Sequence, residues 1–588
     1  MCRIVGFVDR QRNNPEKDII AMRDAMSHGG PDSSGSYLDT ENGVALGHRR
    51  LSIIDLSDAG NQPMYNRNRD VVLIFNGEIY NYQELKRELE QLGTCFFSHS
   101  DTEVILRSYE QWGPKCFRRF KGMFAIVIYD KKSNKIILAR DHAGIKPLHY
   151  FAGKDCFYFA SEIRSFSQVN KSWEENPDWK LYFLAYGFIP QEQTTLKGVT
   201  SLPRGTYIEL NTRNFQLKKY VYTEYQFSNL IQNEKEAREE IRNSLKKAVQ
   251  RHLIADAPLG VFLSGGIDSS ILTMLAAEMK EDLHTLSIVF EDKNYTEKIF
   301  QDLIVKKVHS IHQSTLLNKQ QFTDAIPDIL QAMDQPSTDG INSYFISKFA
   351  REAGLKTVLS GLGADELLGG YPSFKRIRLI NSLKHIPDFV LDKARLLPNT
   401  KFHKLSFLKN KGIIGDYLFN RGYFNTREIA SLLDLQEGEI NKKLYFQEEM
   451  ETDLKDGNLV SFLETTIYME GQLLKDTDYM SMWHGLEVRV PFLDYDFMNT
   501  IHSISPAIKF KKQNPKQLLI DSFKDMLPLP ILTRKKQGFV FPFAEWMKES
   551  LNDFMKTKKD WEMAKKFEEG KLTWSRFWAY VLMQVYES

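Results

Sequence analysis

Cysteine is scarce in this chain. Its four residues among 588, Cys2, Cys95, Cys116 and Cys156, lie far apart and show no paired metal-ligand spacing, which excludes a disulfide framework or a zinc cluster as the basis of the fold. No sign of charge is in excess either: 78 basic residues against 76 acidic ones give no electrostatic reason to bind nucleic acid or a membrane surface. No run approaches the roughly 18 apolar residues of a spanning helix, and the apolar stretch after Cys2 is too short for a signal peptide, so a cytoplasmic protein is expected. Internal repeats and low-complexity tracts are missing as well. What is present is 42% apolar content on a length that exceeds a single hydrophobic core, which implies two or more domains.

The texture changes along the chain. As far as about residue 210, short β-type runs alternate with turns: VVLIF at 71–75, FAIVIYD at 124–130, KIILARD at 135–141 and CFYFASE at 156–162, with amphipathic helices between them. That pattern predicts stacked sheets with helices outside. From about 235 it becomes helix, strand, helix, with EKEAREEIRNSLKKAVQRHL, the buried strand LGVFL and SSILTMLAAEM, which predicts a parallel sheet wrapped by helices. Residues 211–234, polar and aromatic without period, read as a linker. Beyond about 375 the chain is helix-rich and closes the second domain. The expected division is therefore 1–210, a linker at 211–234, and 235–588.

Cys2 follows the initiator Met, so removal of Met1 leaves a thiol and a free α-amine on one residue. An α-amino group titrates at about 7.7–8.0, close enough to neutrality to take the thiol's proton. Taken alone, Cys2 reads as the residue before a buried strand, and only its company makes it a nucleophile. Arg50, at the head of a strand in GHRRLSIID, is a bidentate donor suited to a carboxylate. Asn76, Gly77 and Glu78 follow VVLIF directly; an amide and a glycine N–H there can form an oxyanion hole, though Asn-Gly by itself reads as a hairpin turn. Asp101 stands where a helix begins, and alone reads as part of an N-cap.

Together with GGPDSSG at 29–35, NGEIYNY at 76–82, GMFAIVIYD at 122–130 and ARDHAGIKPL at 139–148, these residues resemble the glutaminase domain of class II, N-terminal-nucleophile glutamine amidotransferases. The resemblance implies an αββα sandwich. It implies that Cys2 attacks the glutamine side-chain amide, its own amine shuttles the proton, and Asn76 with Gly77 stabilises the oxyanion. Arg50, Glu78 and Asp101, with the backbone of Leu51 and Ile53, then hold the α-carboxylate and α-amine. One position departs: where the family commonly reads HRGPD, Gly29 replaces the arginine.

In the second domain, LSGGIDSS at 263–270 follows a strand and opens a helix. Gly265 and Gly266 let the backbone approach a phosphate, Ser264, Ser269 and Ser270 add hydroxyl donors, and Asp268 is a natural Mg2+ ligand. The Gly-Lys-Ser/Thr ending of a Walker loop is absent. VLSGLGADELLGGY at 358–371 repeats the design, offering Ser360 and Gly361 to an adenylate and Asp365 to the same metal; the pair Asp365-Glu366 also reads as favourable charge at a helix N-terminus. LEVRVPFLD at 486–494 and TRKKQGF at 533–539 add Glu487, Arg489, Arg534 and Lys536, of which Lys536 is suited to developing phosphate charge. The first loop matches the pyrophosphate loop of ATP pyrophosphatases, and the whole series resembles the synthetase domain of glutamine-hydrolysing asparagine synthetases. That resemblance implies a doubly wound parallel sheet with a helix-rich C-terminal part, ATP contacts from Leu263 and Ile288 as well, ATP and Mg2+, and a homodimer.

The expected reaction joins glutamine, ATP and aspartate through an aspartyl-adenylate, with ammonia passing between the domains. Three departures fall on the acceptor side. Leu362 replaces the loop glutamate of SGEGADE, Gly471-Gln472-Leu473-Leu474 lacks the paired aspartates of many relatives and leaves Glu470 as the only close acid, and DQPSTDGINSY at 334–344 is unusual. Either Glu470 or Glu487 does the proton work for aspartate, or the acceptor is another carboxylate, such as a uronic-acid sugar of a surface-polysaccharide pathway. A non-catalytic regulatory relative is the reading of another class, opposed by intact Cys2, SGGIDSS and Asp365.

Overall fold

The computed structural model describes residues 2–169, 171–292, 295–393, 400–445, 452–511, 516–534, 541–549 and 555–587. The first sheet runs Val199–Ser201, His149–Ala152, Phe157–Ala160, Cys2–Val8, Val44–Arg50, Ser33–Asp39, and the second Leu217–Val221, Thr206–Asn211, Lys135–Arg140, Gly122–Asp130, Val71–Ile79, Met64–Tyr65. Every pairing in both is antiparallel. Strand periodicity sorts the side chains: Ile4 and Val8 face the second sheet and meet Ile74, Val127 and Leu138, while Val5 and Phe7 face outward onto Ile19 and Met22 of the helix Pro15–Asp24. Helices Tyr82–Gln91 and Asp101–Trp112 cover the other side through Leu85, Leu89, Val104 and Ile105. The result is the αββα sandwich.

Leu217–Val221 corrects the expected linker, because it is the edge strand of the second sheet, with Tyr220 stacked on Tyr207 at 4.8 Å. Its side chains are largely exposed, so no apolar alternation marked it.

The third sheet is parallel throughout, in the order Ile311–Leu316, His284–Val289, Leu259–Phe262, Thr357–Leu359, Glu487–Arg489. Its two faces enter different cores, Val358 and Val488 in one and Val261 and Leu359 in the other, so it is covered on both sides as a doubly wound sheet requires. The chain starts at the central strand, builds outward one way, then returns to the other side. The switch point thus lies between Leu259–Phe262 and Thr357–Leu359, and LSGGIDSS and SGLGADE leave the ends of these two neighbouring strands. Among the described residues no helix is long and apolar enough to cross a membrane.

The two units are deeply joined. Helix Trp179–Tyr186 is buried on nearly all sides and belongs to the core of the second unit, where Tyr186 stacks on Tyr417 at 5.7 Å and the Tyr182 hydroxyl donates to Lys443 O at 3.1 Å. Buried ion pairs cross the boundary: Arg3 to Asp478 at 2.6 Å, Lys146 to Asp478 at 3.1 Å, Arg140 to Glu470 at 3.2 Å and Arg204 to Glu470 at 3.0 Å. A Cβ at position 29 would lie 2.7 Å from Arg3 Cγ, so Gly29 leaves the space that the Arg3 side chain takes. Glu464–Leu473 winds as a π-helix between Asp456–Leu463 and Leu474–Trp483, a rare geometry frequent at functional sites.

Lys509 supplies a stability prediction. It is 3% exposed, its Nζ has no hydrogen-bond partner among the described residues, Phe227 lies 5.5 Å away, and burial lowers its pKa to about 7 from the ordinary 10.5. The unfolded chain binds this proton more tightly, so the destabilisation is complete below the folded pKa and fades as pH rises towards the unfolded one. Lys509→Met is expected to raise Tm by several degrees at neutral pH and by clearly less at about pH 9. Equal shifts at both, by calorimetry, would show that the lysine is not the titrating group.

Candidate active sites

The first site forms where the two sheets meet. Strand pairing sets Cys2 opposite Arg50, and the Cys2 backbone nitrogen donates to Asn76 Oδ1 at 3.2 Å across the sandwich. Asn76 is fully buried, and its Nδ2 has no partner among the described residues. A buried amide donor left unsatisfied beside a thiol is what an oxyanion would complete. Asn76-Gly77 is no hairpin turn: it lies inside the strand Val71–Ile79. There Gly77 has φ +152°, and a Cβ would come within 2.0 Å of Met123 O. Burial pushes the Cys2 thiol above its ordinary pKa, while the Leu51 N–H pulls it down. The resting thiol is therefore protonated and needs a base as it attacks.

Arg50 Nη1 donates to Ser57 O at 2.8 Å and Asn61 Oδ1 at 2.9 Å, and Nη2 to Asp55 O. These acceptors are neutral and Arg50 forms no salt bridge among the described residues, so its charge is left for a carboxylate. Leu51 and Ile53 are buried beside it, and Ile53 O accepts from the Asp256 N–H of the second unit at 3.0 Å. The cap of helix Asp101–Trp112 is Ser100, not Asp101; Asp101 instead accepts from the Ile79 N–H at 2.9 Å, and burial pushes its carboxyl up to about 6. Burial, with Glu487 adding, raises Glu78 well above the usual range against the pull of Arg489. Arg489 holds Glu487 at 2.5 Å and Glu78 only at 3.5 Å, so Glu78 is the member of the pair that keeps its proton.

The second site is a cavity of about 720 Å3 at the switch point. Leu263, Ser264, Gly266, Asp268, Ser269, Ile288, Ser360, Gly361 and Asp365 all line it. Gly265 and Ser270 do not: Gly265 turns with φ +81° and its carbonyl accepts from Arg534 at 2.8 Å, while Ser270 is fully buried in the helix behind. Lys536 lies outside the described residues. The ammonium at this site is Lys516, 2.5 Å from Asp268 and 2.7 Å from Asp365, and these carboxylates outweigh burial to hold its pKa above the ordinary value. Lys516 sits in the basic run KKQNPKQ, whose composition resembles solvated surface.

The acids expected to replace the missing loop glutamate are elsewhere. Glu470 is held by Arg140 and Arg204 at the domain boundary, and Glu487 points to the Glu78 side of its strand; neither lines the cavity. Leu362 does line it, together with Glu366, Asp339 and Asp476. Burial, with Asp365 adding, pushes Glu366 up to about 7 against a 2.6 Å bond from the Tyr371 hydroxyl, and burial raises Asp476 well above the carboxylate range. Asp476 follows Leu473-Leu474 instead of preceding it.

An apolar cluster spans the two units. Tyr80, Met123, Ala143 and Ile145 of the first unit join Met469, Leu474, Met482 and Val490 of the second, and Leu362 and Leu473 pack against them at the cavity wall.

Comparison with known proteins agrees with this arrangement. Residues 1–221 match the family described as glutamine amidotransferase domain, and residues 240–569 the one described as asparagine synthase. Asparagine synthetase [glutamine-hydrolyzing] 1 of Bacillus subtilis (strain 168) is 31% identical over 95% of this chain and 89% of its own. Asparagine synthetase B [glutamine-hydrolyzing] of Escherichia coli (strain K12) is 27% identical over 92% and 82%. Amidase chry2 of Gibberella zeae is 26% identical over 93% and 90%. The chain therefore belongs to the asparagine synthase family, with a glutamine amidotransferase domain in its N-terminal part.

Proposed function

We propose that this protein is a glutamine-dependent, AMP-forming amidotransferase that converts aspartate to asparagine, with glutamate, AMP and pyrophosphate as the other products. The observation that carries the reading is the apolar cluster shared by the two units, which runs from Met123, the strand partner of Glu78, to Leu362 and Leu473, because neutral ammonia crosses apolar surroundings that exclude ammonium. Loss of Met1 frees the Cys2 amine, which takes the thiol proton as sulfur attacks the glutamine amide. Asn76 Nδ2 and the Gly77 N–H receive the oxyanion. Arg50 meets the α-carboxylate beside Leu51 and Ile53, and Glu78 and Asp101 ionise against the α-ammonium, which restores the charge that burial suppresses.

At the second site the Leu263–Ser270 loop, Ile288, Ser360 and Gly361 receive ATP, and Lys516 follows the charge that develops on phosphate. Six carboxylates against Lys516 and Arg534 line the cavity, an arrangement that fits a nucleotide arriving with a divalent cation. Asp268 and Asp365 would hold Mg2+, which when bound would neutralise pyrophosphate charge. Ammonia entering past Leu362 meets the acyl carbon, and Glu366 is placed to accept its proton. The domains divide the work at the loop before helix Glu234–His252, and the substrates are those of the cytoplasm. The test is stoichiometry: aspartate, glutamine and ATP are expected to give equal amounts of asparagine, glutamate, AMP and pyrophosphate. Release of ADP and phosphate, or no asparagine despite glutamine hydrolysis, would sink the assignment.

A further inference from the structure

At Asp339 and Asn342 the nucleotide cavity adjoins a second cavity of about 880 Å3, which both residues also line. The two differ in charge. Acids dominate the first, whereas Arg376, Lys404, Arg421 and Arg576 oppose only Asp339 and Glu428 in the second. Two of these bases are committed, Arg421 to Glu464 at 2.6 Å and Arg576 to Glu428 at 2.7 Å. Lys404 and Arg376 form no salt bridge among the described residues. Burial, with Arg576 and Arg376 adding, lowers the Lys404 pKa to about 8, the shift that an anion placed against it would reverse.

The walls are aromatic. Arg421 lies 3.5 Å over the Tyr468 ring, Tyr186 and Tyr417 are stacked, and Trp574 stands 5.5 Å from Phe543. The π-helical segment turns Tyr468 and Gln472 into the cavity, while Glu470 between them points to the first unit. Flat aromatic surfaces with a few amides and hydroxyls suit a ring, and a volume near the top of the roughly 300–1,000 Å3 range of small-molecule sites is far more than aspartate fills.

We propose that this second cavity is the acceptor site for a further activity, the amidation of a carboxylic acid larger than aspartate that carries a ring and a distal anionic group. Its carboxylate reaches the nucleotide cavity past Asp339 and Asn342, and its distal anion meets Lys404 and Arg376. The step balances as for aspartate: a carboxylate oxygen bonds to the α-phosphorus as pyrophosphate leaves, then ammonia bonds to the acyl carbon as AMP leaves with that oxygen, and one proton passes from nitrogen to a cavity carboxylate. The inference rests on the AMP-forming reading of the first cavity.

The test measures pyrophosphate release by the full-length protein with ATP and glutamine, offering aspartate, D-glucuronate or α-D-glucuronic acid 1-phosphate. The phosphorylated acid is expected to support saturable release, with a KM at least tenfold below that of D-glucuronate, and Lys404→Met and the exposed Arg376→Ala are each expected to raise that KM about tenfold or more. Release with aspartate but with neither sugar acid would overturn the proposal and leave the asparagine reading standing. Turnover of the phosphorylated acid that both variants leave unchanged would overturn it too. No release with any acid, from glutamine or from ammonium chloride, would remove the AMP-forming reading and this inference together.

Discussion

Cys2→Ala is expected to lose glutamine-dependent amide formation by about 10^4-fold or more while synthesis from ammonium chloride persists. Cys2 stands opposite Arg50 in the first sheet and its backbone nitrogen donates to Asn76 Oδ1 across the sandwich, so the substitution removes the thiol while leaving the groups around it in place. Folding should be little affected, because Cys2 is a small residue at a strand end whose backbone nitrogen keeps its bond to Asn76. Ammonia supplied from solution reaches the acyl-adenylate without the first site. Measuring pyrophosphate with each nitrogen donor separates the two activities. Loss of both in a folded variant would contradict the division of labour, and retained glutamine use would remove Cys2 as nucleophile.

Lys516→Met is expected to do the reverse. Its ammonium bridges Asp268 and Asp365, so removal leaves two carboxylates facing each other in an acidic cavity and takes away a donor to the developing pyrophosphate charge. Loss of one such preorganised donor lowers turnover by roughly 10^2–10^3-fold. Pyrophosphate release should fall to that degree with glutamine and with ammonia alike, whereas glutamine hydrolysis, assayed as glutamate, continues. Lys516→Arg should restore part of the rate if charge is what matters. An undiminished rate in Lys516→Met would return the role to another cation.

Much of this was written in short stretches of sequence. Strands 71–79 and 122–130 announced themselves because both faces of each are buried and their apolar runs are nearly continuous, and the loops after Phe262 and Leu359 carry their glycines and acids within a few residues. The edge strand Leu217–Val221 did not, because an exposed edge needs no apolar period. Helix Trp179–Tyr186 falls inside the expected first domain, 1–210, yet packs in the core of the second unit, since its partners Tyr417 and Lys443 lie more than two hundred residues away. Asp101 shows the same limit from the other side. Its place before a helix suggested a cap, yet Ser100 performs that role and frees Asp101 to bind Ile79.

The sequence by itself determined the chemistry at each end: a thiol at position 2, an amide and glycine after VVLIF, and two glycine-rich turns bearing Asp268 and Asp365. Those groups act through local backbone geometry, which neighbouring residues encode. Only the tertiary structure decided which charges meet. Lys516 lies 248 residues from Asp268 and touches it, Glu470 is drawn off to Arg140 and Arg204, and Lys404 faces a cavity assembled from helices far apart in the chain. The reason is physical: the interaction of two charges depends on their separation and on the burial around them, and neither quantity is fixed by distance along the chain.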